Sequence, residues 1–76
     1  MIGKQIKKII IERGYRLDKV AEALGITRGS LSRKINHRQG LRLSAQQIKQ
    51  IGQYIDQDLT EYVLQTQHEN ENENQL

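Results

Sequence analysis

The sequence predicts an all-α fold, a compact bundle of five short helices. Three observations carry this reading. Apolar residues recur at spacings of three and four along successive segments. Glycine or a small polar residue stands where one stripe breaks off or the next begins. The chain has 76 residues, 36% hydrophobic and 4% aromatic, which leaves room for one small core built from aliphatics, ten isoleucines among them.

The first helix is marked by Ile2, Ile6, Ile9 and Ile10 on one face, with Lys4, Lys7, Lys8 and Glu12 on the other. A strand through IKKIII is the competing reading, because isoleucine favours sheets. The length of the stripe and the lack of period-two alternation decide for helix, and Gly14 ends it. A second helix covers Leu17 to Leu24, where Leu17, Val20, Ala21 and Leu24 share a face and Gly25 is the stop. Thr27 is the N-cap of a third helix running to about Asn36. There Leu31 and Ile35 stack one turn apart and point inward. Arg28, Gly29, Ser32, Arg33 and Asn36 take the opposite face, which holds no hydrophobe and no acid.

Residues 37–43 read as a basic connector containing Gly40. Ser44 and Gln47 have the capping-box spacing that opens a fourth helix, with Ile48, Ile51 and Ile55 as its buried stripe and Tyr54 beside them. Asp58 and Glu61 repeat that spacing ahead of a short fifth helix bearing Leu59, Tyr62 and Val63. Residues 1–64 therefore form one domain. The remainder, 65–76, is QTQHENENENQL, a polar, acidic and Asn-rich tail expected to be disordered.

Charge is unevenly spread. Residues 1–64 carry all twelve Lys and Arg against six acids, a net +6, and the tail holds Glu69, Glu71 and Glu73. Between Ala23 and Ile55 there is no acid, while Arg28, Arg33, Lys34, Arg38, Arg42 and Lys49 all fall there. A basic block inside a folded domain is the footprint of a polyanion partner, the bland alternative being a solvated surface.

Several function classes are disfavoured. Without cysteine there is no disulfide framework, thiolate nucleophile or zinc ribbon, and a reducing, cytoplasmic setting is expected. The longest apolar run, Ile9 to Ile11, is far short of a membrane span, and no signal-peptide pattern opens the chain. His37 and His68 have no second ligand nearby, so no metal site is expected. Ser30 and Ser32 have no base at catalytic spacing, so the chain does not read as an enzyme. No cofactor or small-molecule ligand is expected either.

The most informative stretch is Leu17 to Asn36, LDKVAEALGITRGSLSRKIN. Two helices joined by a glycine-centred turn, the second opened by a polar cap, form the helix-turn-helix pattern. Ala21 is small where the helices cross, and Gly25 accepts a left-handed backbone. Val20, Leu24, Ile26, Leu31 and Ile35 weld the pair to the rest of the domain. Across residues 4–64 the chain resembles the Cro/repressor class of helix-turn-helix regulators of bacteria and phages, similar to lambda repressor in fold and XRE-type in class. The match is densest over VAEALGITRGSLSRKIN.

That resemblance implies double-stranded DNA as the partner, with the third helix in the major groove. It implies base contacts from Arg28, Gly29, Ser32 and Arg33, where arginine can give two hydrogen bonds to guanine. It implies backbone contacts from Thr27, Lys34, Asn36, Arg38 and Arg42, which fix register without reading sequence. Three positions depart from the common family pattern. Leu17 opens the second helix where Gln or Ser is frequent, His37 follows the third helix where glycine is frequent, and Gly29 removes one side chain from the reading face.

The expected function is sequence-specific transcriptional regulation, as a repressor that occupies an operator. One small module buries little surface on DNA, so dimerisation on two half-sites is expected. Leu59, Tyr62, Val63 and Leu64 are the candidate dimer contacts, the alternative being that they close the core. A second reading from another class is a protein-interaction or antitoxin-like adaptor on the same fold. A third is charge-driven binding to nucleic acid without sequence preference.

Overall fold

The computed structural model describes residues 2–66. Helix α1 spans Ile2–Glu12, α2 Leu17–Leu24, α3 Arg28–Ile35 and α4 Ala45–Ile55. A 3₁₀ turn, Arg38–Gly40, lies between α3 and α4, and α5 occupies residues 60–66. Among the described residues there is no strand, so the all-helical reading of the sequence holds.

Each helix buries the stripe that its sequence spacing marks. Ile6 and Ile10 of α1, Val20 and Ala21 of α2, Leu31 and Ile35 of α3, and Ile48, Ile51 and Ile55 of α4 are buried in one cluster. Leu43, from the connector, joins them. Ile2, Ile9, Leu17, Leu24 and Ile26 pack half-buried around it. α2 lies against α1, α3 and α4, and α1 also lies against α3.

Local chemistry sets the helix ends. Gly14 and Gly25 both adopt left-handed backbone, φ 83° and 74°. After α2 the Gly25 N–H donates to the Glu22 carbonyl and the Ile26 N–H to the Ala21 carbonyl, each at 3.0 Å. Those bonds satisfy carbonyls the helix would otherwise leave open. At α4 the capping box forms in full. The Gln47 N–H donates to Ser44 Oγ at 3.1 Å, and the Ser44 N–H donates to Gln47 Oε1 at 2.9 Å.

The opening of α5 is simpler than its spacing suggested. Asp58 Oδ1 accepts from the backbone N–H and the hydroxyl of Thr60, and Glu61 returns no bond to the Asp58 N–H. Helical backbone begins at residue 60 and runs to 66, so Gln65 and Thr66 belong to the helix rather than to a tail. Thr66 is buried. The domain limit at residue 64 therefore moves to at least 66. The rest of the tail reading falls on residues 67–76, which lie outside the described residues.

Two tertiary contacts fix the helices that sequence periodicity alone cannot place. At Gly3, α1 presses directly on the end of α3. A β-carbon there would overlap the Ile35 carbonyl oxygen and sit 2.9 Å from the Ile35 carbonyl carbon and Cα. Arg13, just past α1, closes the far end of α4. Its Nε donates to the Ile55 carbonyl at 2.9 Å, Nη2 to the Asp56 carbonyl at 3.3 Å, and Nη1 to Gln57 Oε1 at 3.1 Å. A fixed cation on open carbonyls also complements the negative end of the helix dipole.

Candidate nucleic-acid interface

α2 and α3 are joined by Gly25, Ile26 and Thr27 alone, and the two helices pack together. Burial of Leu31 and Ile35 sets the rotation of α3 and turns its other side outward. Arg28, Gly29 and Arg33 are exposed on that side, while Ser32 and Asn36 are half-buried at its edge. The spacing that pointed to an outward polar face is thus realised, with both arginines exposed on it.

Thr27 holds extended backbone, and its Oγ1 accepts the Ser30 N–H at 3.0 Å. The cap uses only the oxygen as acceptor, so the exposed hydroxyl keeps its hydrogen for donation outward. Arg33 folds back along the helix. A β-carbon at Gly29 would sit 3.8 Å from its Nη1 and meet nothing nearer. Gly29 therefore leaves an open step in the face with the Arg33 guanidinium above it.

Asn36 has a structural role that the resemblance did not imply. Its Nδ2 donates to the Ser32 carbonyl at 3.0 Å and lies 3.4 Å from Ser32 Oγ. The side-chain N–H groups are spent on closing α3, which leaves Oδ1, an acceptor, as the free end. In this structure the Asn36 amide therefore braces Ser32 at the end of α3.

Four cations on and just after α3 have no acidic partner among the described residues. Among the described residues the ion pairs are Lys8 with Glu12, Arg16 with Asp18 and Lys19 with Glu22. Arg28, Arg33, Lys34 and Arg38 enter none of them. Arg38 and Arg42 are exposed on the connector after α3, and Lys34 is half-buried. The connector itself is wound tightly. His37, Gln39 and Gly40 all have positive φ, at 55°, 57° and 72°. His37 occupies the left-handed step after α3 where glycine would sit without steric cost.

The candidate dimer contacts divide. Leu59 and Val63 are 4% and 5% exposed and belong to the core, so they close the fold instead of offering a surface. Leu64 is 59% exposed, and Tyr62 is half-buried against the core. The apolar residues that look surplus in this region are taken up by the core, which reaches Leu59 and Val63. Ile11 and Tyr54, at 54% and 40%, are the other large exposed hydrophobics among the described residues. Tyr54 has its ring centroid 5.4 Å from that of Tyr15.

No group of three His, Cys, Asp or Glu side chains converges among the described residues, and no helix there is long and apolar enough to cross a membrane. The chain matches no protein-family model, no curated protein and no solved structure.

Proposed function

We propose that this protein is a sequence-specific DNA-binding regulator of the helix-turn-helix type, acting in the cytoplasm as a repressor. α2 and α3 form the motif, and α3 enters the major groove of an operator. One observation carries the reading. The outward face of α3 presents Arg28 and Arg33, exposed and without an acidic partner among the described residues, on a helix whose other face is locked into the core. Such a face has no task in stabilising the fold, and its charge suits a polyanion.

The roles divide by reach and donor chemistry. Arg28 and Arg33 read base edges, each able to address guanine O6 and N7 together. Ser32, held by Asn36, adds a single hydroxyl, and Gly29 lets the backbone come close. Thr27, Lys34, Arg38 and Arg42 meet the sugar-phosphate strands and set register. Two copies bind one operator through half-sites about one helical turn apart. Leu64 and Tyr62 are the part of α5 left to meet the second copy.

Selection from a random duplex pool at about 0.15 M salt, near physiological ionic strength, tests this. A palindromic motif with half-sites about 10 base pairs apart supports a dimeric operator reader. In Arg28→Glu/Arg33→Glu, binding to that motif is expected to be lost while the circular dichroism spectrum is kept. Retention of DNA without an enriched motif reduces the protein to a charge-driven binder. Absence of retained DNA overturns the reading.

A further inference from the structure

We propose that Lys4 and Lys7 of α1, with Lys8 beside them, form a second phosphate-binding strip that extends the α3 surface along a flanking sugar-phosphate strand. The inference rests on the DNA-binding reading above. It adds a site that neither the helix-turn-helix pattern nor the basic block after Ala23 contains.

The strip is built by the close approach at Gly3. Because the α1 backbone lies directly on Ile35, the first turns of α1 are fixed beside the end of α3. Lys4, Lys7, Lys8, Ile11 and Glu12 then line a shallow groove whose opposite wall is Asn36. Asn36 is also the C-cap of α3, half-buried at the edge of its outward side. The arginine face and the lysine groove therefore meet at one residue.

The charge in the groove is unspent. Lys8 approaches Glu12 only at 3.9 Å, between exposed side chains, a pair worth little in water. Lys4 and Lys7 form no ion pair among the described residues. Four-carbon lysine stems can lie along apolar surface while their ammonium groups stay in water. Ile11, 54% exposed, supplies such surface within the groove. An apolar lining with three ammonium groups against the single Glu12 carboxylate keeps a net positive rim, which suits a sugar-phosphate strand with apolar deoxyribose faces and an anionic edge. Lysine contacts of this kind add affinity without reading bases.

The test uses the full chain and the operator enriched in the selection, with affinity measured from about 50 to 200 mM salt. In Lys4→Gln/Lys7→Gln the slope of log affinity against log salt is expected to flatten by about 1.8, roughly 0.9 per lost phosphate contact. Affinity should fall equally on operator and scrambled DNA, so their ratio stays unchanged. The charge-preserving Lys4→Arg/Lys7→Arg should keep the parental slope, which separates loss of charge from damage to the fold. A parental slope in Lys4→Gln/Lys7→Gln, while Arg28→Glu/Arg33→Glu abolishes binding, overturns this inference and leaves the regulator reading intact. Failure of the unmodified chain to bind DNA overturns both.

Discussion

Two glycines lie on opposite sides of α3. Gly3 of α1 sits against its inner side, where a β-carbon would overlap the Ile35 carbonyl. Gly29 lies on its outer side, where a β-carbon would meet only the far end of the Arg33 side chain, at ordinary contact distance. At the first position packing requires glycine. At the second it does not, and the helix gives up stability by carrying a residue of poor helix propensity. A position that the fold leaves undefended, on a face rich in arginine, is where a demand from outside the fold is most legible.

Gly3→Ala is the strongest way to break that contrast. The clash is with backbone, so neither partner can yield by changing rotamer. We expect a loss of about 3 kcal/mol, at the upper end for overpacking. In a domain of this size that lowers Tm by roughly 12–24 °C. A calorimetric or circular dichroism melt within a few degrees of the parent would show that α1 does not press on α3 as described.

A different test concerns Arg13, which ties the segment after α1 to the end of α4 through three hydrogen bonds. Arg13→Met keeps much of the aliphatic stem and removes the fork, and should cost about 1–2 kcal/mol in urea unfolding. Arg13→Lys should recover only part of this, since an ammonium cannot span three acceptors in fixed geometry. Equal stability of both variants with the parent would assign the closure of α4 to packing alone.

The outer side of α3 should respond in the opposite direction. Gly29→Ala is expected to stabilise the domain by about 0.5–1 kcal/mol, because helical backbone is retained and the space is open. If α3 approaches DNA through that gap, the same variant binds the enriched operator more weakly while melting higher. Gain in both properties would mean that Gly29 leaves nothing for a ligand to use.

Much of this architecture was legible in the sequence because it is local. The stripes of α1 to α4, the Thr27 cap, the Ser44–Gln47 box and the left-handed Gly25 each depend on residues within a turn or two of one another. What stayed hidden depends on residues far apart. Gly3 has no apolar side chain to register in a stripe, yet it sets how α1 meets α3. Arg13 and the α4 terminus are 42 residues apart. Leu59 and Val63 read as surplus because the depth of the core cannot be gauged from one segment. For the candidate site, the exposure of Arg28 and Arg33 followed from periodicity. The spending of Asn36 on Ser32 did not, because an amide can serve either the helix end or a ligand and only geometry decides.

The smallest expected effect lies at α5, away from both glycines. The hydroxyl and the backbone N–H of Thr60 hold the Asp58 carboxyl below its ordinary range, against a small opposing contribution from burial. A carboxylate whose folded pKa is depressed stabilises the folded state fully above its unfolded value, about 4. That contribution is lost as pH falls through the lower folded value. Asp58 is exposed, so the loss should appear as local fraying of residues 60–66 before global unfolding. Amide exchange followed from pH 6 down to about pH 3 should show the α5 amides losing protection relative to those of α3, once the intrinsic pH dependence of exchange is removed. In Asp58→Asn that relative change should disappear. If α3 and α5 instead lose protection together, Leu59 and Val63 bind the last helix into the same cooperative unit as the glycine-set packing of α1 on α3, and the Asp58 cap adds nothing separable from it.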